Sequence, residues 1–412
     1  MSSVMGKKKV YDGYKAYDYL EAGADYREFK LAKSFERVPS YYVPLSKGEE
    51  DRFDEFIEKN IIIDLHEHPV LWPEDMSEAM ELQHMGRDFT AYEALSKARI
   101  DCVFDNLMDG TAYITSYSGW KWNDIIHDIG IRLCDLYHQG MVIHCKTVED
   151  IRYAAEEGKV AMVLALESAT PIENEVDRID VLYGLGVRSL GICYSESNML
   201  GGGMGETHQD TGLTDFGYDS VKRMNKVGML IDVGHTNDRT ALETIEASES
   251  PVYNSHSGPA AIAQGHTNGD EVLHAFAENN GLIGVGGAGQ GLRTEKHPVG
   301  NIESYMECVE YCIDLMGIDC VGCGPDTLYG NHQGLYKYWF ARRLGKHNRP
   351  GREQEEAFPI PPGMEDPGYV RGLENPNEFM NIARWMIKHG YSDGEIAKVM
   401  GLNALKMLER VW

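Results

Sequence analysis

Short apolar runs recur along this chain, and each is followed by a longer amphipathic or polar stretch. The runs are Ile61–His66, Ile100–Leu107, Val160–Glu167, Val187–Tyr194, Met229–His235, Pro251–Ser255, Leu282–Gly287 and Cys320–Asp326. Continuous apolar runs of this length read as strands buried on both faces. Helical periodicity lies between most of them, as in Val148–Glu157, Glu175–Gly184, Gly217–Val227, Thr240–Ser248 and Ile302–Met316. Strands alternating with helices through about eight units over roughly 270 residues predict an α/β fold, a (β/α)8 TIM-type barrel. A doubly wound sheet is the alternative, and eight units suit closure better.

Two segments fall outside the alternation. Residues 1–50 are rich in Tyr, Lys and Glu with patchy periodicity. They read as an N-terminal extension that packs on the main domain or on a partner subunit, and the barrel occupies 51–412. Residues 329–376 follow the eighth strand and carry Tyr336, Tyr338, Trp339, Phe340, Arg342 and Arg343, then the Pro-rich Phe358–Gly363. A stretch of that length inside a compact domain predicts a lid-like insertion over the barrel mouth. Two helices close the chain, Asn377–His389 and Asp393–Val411. The second opens on Ser392-Asp393-Gly394-Glu395, a capping signal.

Composition narrows the function classes. The chain has 412 residues, 42% hydrophobic, with a net charge of −26. That charge repels nucleic-acid phosphates and anionic lipid, so neither is expected as a partner. The N-terminal residues lack the apolar core of a signal peptide. No stretch approaches the ~18 consecutive apolar residues of a membrane span. The eight cysteines are scattered, several within apolar runs, as reduced core cysteines of a cytoplasmic protein would be. Cys308 and Cys312, and the single CxxC of Cys320 and Cys323, do not make a zinc site without a further pair.

The strand ends hold the chemistry. The first run closes as Ile61-Ile62-Ile63-Asp64-Leu65-His66-Glu67-His68. Side chains alternate along a strand, so His66 and His68 point to one side. Glu167 ends the third run, His235 the fifth, His256 follows the sixth and Asp326 ends the eighth. The C-terminal ends of barrel strands form the active-site face, so all of these converge on one mouth. Their N and O ligand atoms suit zinc. They suffice for two zinc ions, one on His66, His68 and Asp326 and one on His235 and His256, with Glu167 bridging. A water between two such ions loses a proton near neutral pH and attacks, and Asp326 is placed to take that proton. Asp232 reads as structural. His208, His266 and His332 read as exposed histidines. Gly201–Gly203 lacks the Lys and Ser/Thr of a phosphate loop, and Gly284–Gly289 is explained by tight packing at the mouth.

Several stretches resemble the renal (membrane) dipeptidase family of the amidohydrolase superfamily. They are Asp150–Lys159, Glu167 in its strand, Phe216-Gly217 with Met224–His235, Pro251–Ser257, Gly324-Pro325-Asp326 and Gly401-Leu402-Asn403. The resemblance runs from about residue 58 to the C-terminus, apart from the insertion. It implies a (β/α)8 barrel, a binuclear zinc site, hydrolysis of dipeptides and a homodimer. The chain also departs from the family. The first-strand motif is H-x-H rather than H-x-D, so His68 replaces an aspartate ligand. At the fourth strand Tyr194 stands where the family has a histidine on the substrate carbonyl, and its phenol can still donate a hydrogen bond. The region Ala263–Asn268 holds His266 but no arginine to grip a substrate carboxylate. The expected activity is therefore metal-dependent hydrolysis of a dipeptide-like amide, a small-molecule substrate, with Asp326, Tyr194 and Glu167 catalytic. The alternative is a non-dipeptide amide or lactone hydrolase, or a metal-assisted lyase acting on an aromatic small molecule, on the same site. A non-catalytic binding barrel is disfavoured because every ligand position is filled.

Overall fold

The structure is a computed structural model that describes residues 9–107, 121–206, 208–263, 265–286, 292–331 and 370–412. Eight parallel strands form one path in chain order. They are β1 (Ile63–Glu67), β2 (Cys102–Asn106), β3 (Val160–Leu166), β4 (Val187–Gly191), β5 (Leu230–Asp232), β6 (Val252–Pro259), β7 (Leu282–Val285) and β8 (Val321–Cys323). Strand β8 lies against β1, which makes the sheet a nearly closed barrel. Helix α1 (Lys47–Lys59) leads into β1. The intervening segments supply α2 (Trp122–Leu136), α3 (Val148–Glu156), α4 (Arg178–Gly184), α5 (Asp215–Val227), α6 (Asp238–Ala247), α7 (Asp270–Asn279) and α8 (Ile302–Met316). This is the (β/α)8 architecture that the alternation predicts.

Period-two alternation sorts the core into two layers. Along β3, Ala161, Val163 and Ala165 join Ile63, Leu65, Cys102, Phe104, Leu230, Tyr253 and Leu282 in one cluster with the C-terminal helix. Met162, Leu164 and Leu166 join the layer between strands and surrounding helices. The Trp412 ring stacks near Phe104, 6.4 Å between centroids, so the chain terminus caps the inner layer. The final helical stretch is not continuous. It runs Asp393–Ala397, Lys398–Leu402 as a π turn, then Asn403–Val411. At Gly401 a Cβ would stand 2.3 Å from the Ile61 carbonyl oxygen, so only glycine lets this turn approach β1. Asn403 Nδ2 then donates to Ile318 O at 2.7 Å and Val321 O at 2.9 Å, tying the helix to the entry of β8.

Three boundaries differ from the sequence pattern. Strand β5 stops at Asp232 and β8 at Cys323, each before its metal-capable residue. Pro325 has no N–H for a ladder, and His235 and Asp326 both take left-handed φ, 62° and 59°. Strand β6 instead runs on to Pro259. Two short strands carry no usable pattern of their own. Val142–His144 pairs with the start of β3, and Thr267–Asn268 with the end of β6.

Residues 9–46 run against the barrel without regular helices. Lys9 Nζ reaches Asp101 Oδ1 at 2.9 Å, and both side chains are fully buried. Asp135 Oδ1 accepts from Tyr14 OH and the Tyr17 amide, each at 2.7 Å, and Asp135 Oδ2 from Tyr92 OH at 2.8 Å. The insertion aromatics Tyr336, Tyr338, Trp339 and Phe340, with Arg342, Arg343, the Pro-rich stretch 358–363 and His332, lie outside the described residues.

One buried charge cluster ties α2 to β2. Arg132 donates to Asp105 at 2.8 Å and to Asp88 at 2.8 Å, with Asp128 3.6 Å away, all four out of solvent. Removing the arginine leaves uncompensated buried carboxylates. Arg132→Met is therefore expected to cost about 3–5 kcal/mol, read as a lowered denaturation midpoint; a midpoint within error of wild type would refute the role given to this cluster.

Candidate metal centre

The strand ends bring His66, His68, Glu167, His235, His256 and Asp326 to one spot. Glu167 follows β3 directly, and its Oε1 lies 2.8 Å from His66 Nε2, 3.6 Å from His68 Nε2, 3.9 Å from His235 Nε2 and 4.0 Å from His256 Nε2. Asp326 Oδ1 lies 3.5 Å from His68 Nε2 and 3.7 Å from His66 Nε2. The residues fall into groups whose ligand atoms lie within 4.8 Å of one another: His66, His68 and Asp326; His66, Glu167 and His256; and His235, His256 and His266.

Neighbouring groups fix the rings. His68 Nδ1 is 2.7 Å from the Asn106 carbonyl oxygen. A carbonyl only accepts, so Nδ1 carries the proton and Nε2 keeps its lone pair for the centre. Ser255 Oγ is 3.0 Å from His66 Nδ1 and 3.0 Å from His256 Nδ1, one hydroxyl shared by two imidazoles. Asp232 Oδ1 accepts from the Ser255 amide at 3.0 Å and the Gly234 amide at 2.8 Å. The structural reading of Asp232 is thus given a partner set: it pins the turn that presents His235 and the stretch of β6 that carries His256. Asn106 Nδ2 also approaches His66 Nδ1, at 2.9 Å.

Electrostatics leave these side chains in forms that can bind a cation. Burial pulls His66 down to about 4, lowers His235 and pushes His256 well below the ordinary imidazole range. Burial pushes the other way on Glu167, but its close contacts with the His66 and His68 rings, and with His235 beyond them, outweigh it and hold the carboxyl well below its usual value. Neutral imidazoles around an ionised carboxylate are what a cation requires. Glu167 Oε2 and His235 Nε2 are buried and have no hydrogen-bond partner among the described residues. An orphaned acceptor beside an orphaned lone pair fits a divalent ion at this point.

His266 is a group that sequence reasoning missed. It is only partly exposed, and its ring stacks on His235 at 4.2 Å and lies 4.3 Å from His256. Its Nε2 accepts the His235 amide at 3.0 Å, which secures a residue held in left-handed backbone. It comes from the loop after β6, where no strand pattern signals convergence. His208 is exposed. Tyr194 lies just beyond β4, buried, with its ring 4.1 Å from His235. Glu67 is a second omission. It faces away from His66 and His68, and its Oε1 accepts the amides of Thr327 and Leu328, both at 3.3 Å, so the turn carrying Asp326 is clamped from β1.

Fold and site together define a (β/α)8 barrel with a histidine- and carboxylate-lined metal-binding mouth. Residues 50–336 match the family model for membrane dipeptidases (Peptidase family M19), and the chain belongs to that family. A dipeptidase, tcpJ, of Claviceps purpurea (strain 20.1) is 24% identical over 287 residues, 69% of this chain; the match spans 58% of that relative's length. An uncharacterised protein in the PQQ-III 3′ region of Acinetobacter calcoaceticus is 31% identical over 202 residues, 46% of this chain and 64% of its own. Among solved structures, an amidohydrolase from Pseudomonas aeruginosa matches with a TM-score of 0.67 and 24% identity, covering 87% of this chain and 99% of the other. A metallopeptidase from Rhodobacter sphaeroides, liganded with a phosphinate mimic of the dipeptide L-Ala-D-Ala, matches with a TM-score of 0.64 and 18% identity, covering 86% and 100%. These two show the same fold.

The depressed imidazoles give a pH prediction. A histidine whose folded pKa is below its unfolded one favours folding only while neutral. Its contribution is full above the unfolded value of about 6.5 and falls away toward the folded value of about 4 at His66. Glu167, also depressed, acts in the same direction, because a group whose folded pKa is lowered stabilises the fold only while ionised. Metal-stripped protein should therefore lose melting temperature steadily as the pH is lowered from neutrality toward 4, and added divalent ion should raise it most near neutrality, where the imidazoles are unprotonated. A flat profile over that range would exclude buried neutral imidazoles.

Proposed function

We propose that this chain is a metal-dependent hydrolase of the dipeptidase type, acting on the amide bond of a dipeptide-sized substrate with two divalent ions, zinc by ligand preference. The single observation that carries the reading is the ring of imidazoles around Glu167 Oε1. Family membership supports the reaction class, and the dipeptide mimic in the Rhodobacter sphaeroides structure supports the substrate size. His66, His68 and Asp326 would hold one ion, and His235 and His256 the other, with Glu167 between them. Bound there, the ions supply Lewis-acid polarisation of a carbonyl and a lowered pKa for water. Asp326, held by the turn that Glu67 clamps, is the group that accepts a proton and returns it to the leaving nitrogen. The Tyr194 phenol, beside His235, donates to the oxygen that gains charge. Ser255 and Asp232 keep the imidazole rings oriented, and His266 holds the His235 backbone.

Free thiols at all eight cysteines support a reducing, cytoplasmic setting. No helix among the described residues is long and apolar enough to cross a membrane. A homodimer follows only from the family resemblance, and its measurement is sedimentation of the full chain.

Elemental analysis tests the centre. About two zinc-class ions per chain are expected in the wild type, with a marked loss in His235→Ala; a chain purified without any such metal, and unable to take it up, would sink the proposal. A panel of dipeptides with free and blocked C-termini tests the substrate. Turnover of free dipeptides is expected, lowered about a hundredfold in kcat by Tyr194→Phe. Turnover indifferent to the C-terminal carboxylate, or absent on every dipeptide, would move the substrate to another amide or lactone.

A further inference from the structure

A second cavity, of about 140 Å³, lies where residues 35–42, α1, the segment before β2 and the C-terminal helices meet. Its apolar walls are Phe35, Tyr42, Phe53 and Met380, and its charged lining is Lys97, Arg99 and Arg384. Arg99 precedes β2, whereas the metal centre gathers residues beyond the far ends of the strands.

The two arginines differ. Arg384 is saturated: it donates to both Glu50 oxygens, at 2.8 and 2.5 Å, and to Val43 O at 2.9 Å. Arg99 is 7% exposed, yet neither Nη1 nor Nη2 has a hydrogen-bond partner among the described residues. Among the described residues the carboxylate within 4.0 Å of it is that of Asp54, 3.8 Å from Nη1, too far for a hydrogen bond and 41% exposed. Its guanidinium sits over Phe53, 5.6 Å from the ring centroid, with Arg384 5.1 Å from the same ring. Arg99 also holds left-handed backbone, φ 61°. A strained residue carrying a desolvated cation without acceptors is costly, and such costs collect at binding sites. Burial pulls its pKa down. In the same cavity Asn377 Oδ1 is also buried without a partner.

We propose that this cavity is a binding site, separate from the metal centre, for a small carboxylate with a flat apolar body. The fork of Arg99 meets the carboxylate in a bidentate pair. The apolar body packs between Phe53, Tyr42 and Met380. The local balance favours a monoanion: Lys97, Arg99 and Arg384 stand against Glu50 and Asp54, an excess of one positive charge in a chain of net −26. A phosphate dianion would meet the same two carboxylates with no apolar body to fill the walls.

Benzoate is the probe, titrated by calorimetry into metal-loaded full-length protein, with inorganic phosphate as the contrast. One saturable benzoate site is expected in the wild type and in His235→Ala, weakened about tenfold or more in Arg99→Met, with phosphate weaker than benzoate throughout. Without ligand, Arg99→Met should melt no lower than wild type, since it deletes a buried charge that lacks hydrogen-bond partners. Benzoate affinity unchanged in Arg99→Met, or abolished in His235→Ala, would overturn the proposal; so would tighter binding of phosphate. Should Arg99→Met not fold, Arg99→Lys decides. It keeps the charge but loses the fork, so benzoate affinity should fall several-fold, and an unchanged affinity rejects the site.

Discussion

One carboxylate oxygen, Glu167 Oε1, sits within 4.0 Å of four imidazole nitrogens drawn from β1 and from the turns and strand ends of β5 and β6. Nothing local to any one of these segments requires that meeting. It follows from closing eight parallel strands, because closure gathers all their C-terminal ends on one rim. The constraint runs back into the core. Gly286 and Gly324 approach so closely that a Cβ on Gly286 would stand 1.6 Å from the Gly324 carbonyl oxygen. That contact sits beside His256, so glycine at the rim is what lets β7 and β8 come together next to that ring.

The same strand serves the centre from both faces. His66 and His68 project into it, and Glu67 between them turns the other way to hold the Thr327 and Leu328 amides. The carboxyl is buried and pushed well above its ordinary range, chiefly by desolvation. Asp326 therefore owes its position to β1 as much as to β8. Asn106 does similar work from β2, fixing His68 through its carbonyl while neighbouring Asp105 is anchored by Arg132. A chain of contacts between buried polar groups thus runs from α2 through β2 to the imidazoles.

Much of this was legible in the sequence, for physical reasons that particular residues illustrate. Strands buried on both faces read as apolar runs, so β3, Val160–Leu166, stands out. A polar residue ending such a run, as Glu167 does, stands out in turn. His235 and Asp326 were legible as residues although both lie beyond their strands, since left-handed turns displace the backbone without changing the order of the sequence. His266 was not legible. It reaches the centre from a loop, and its role rests on a backbone amide at His235 that no side-chain pattern reports. Glu67 was hidden by its neighbours, because the alternation that singles out His66 and His68 assigns the residue between them to the opposite face. The Tyr14, Tyr17 and Tyr92 contacts on Asp135 join residues more than forty positions apart, beyond the reach of any local period.

The placement of charge completes the account. A chain of net −26 keeps its surface acidic, yet several of its buried positive groups are placed against acids: Lys9 on Asp101, Arg132 among Asp88, Asp105 and Asp128, Arg384 on Glu50. At the candidate metal centre the pattern inverts, with carboxylates gathered among imidazoles that burial holds toward the neutral form. Desolvated anions without a matching cation are unstable unless one arrives from outside. Arg99 is the mirror case, a desolvated cation whose Nη1 and Nη2 find no acceptor among the described residues. The same rule read in both directions marks two places on this barrel where the protein leaves its own electrostatics unfinished, one for a cation and one for an anion.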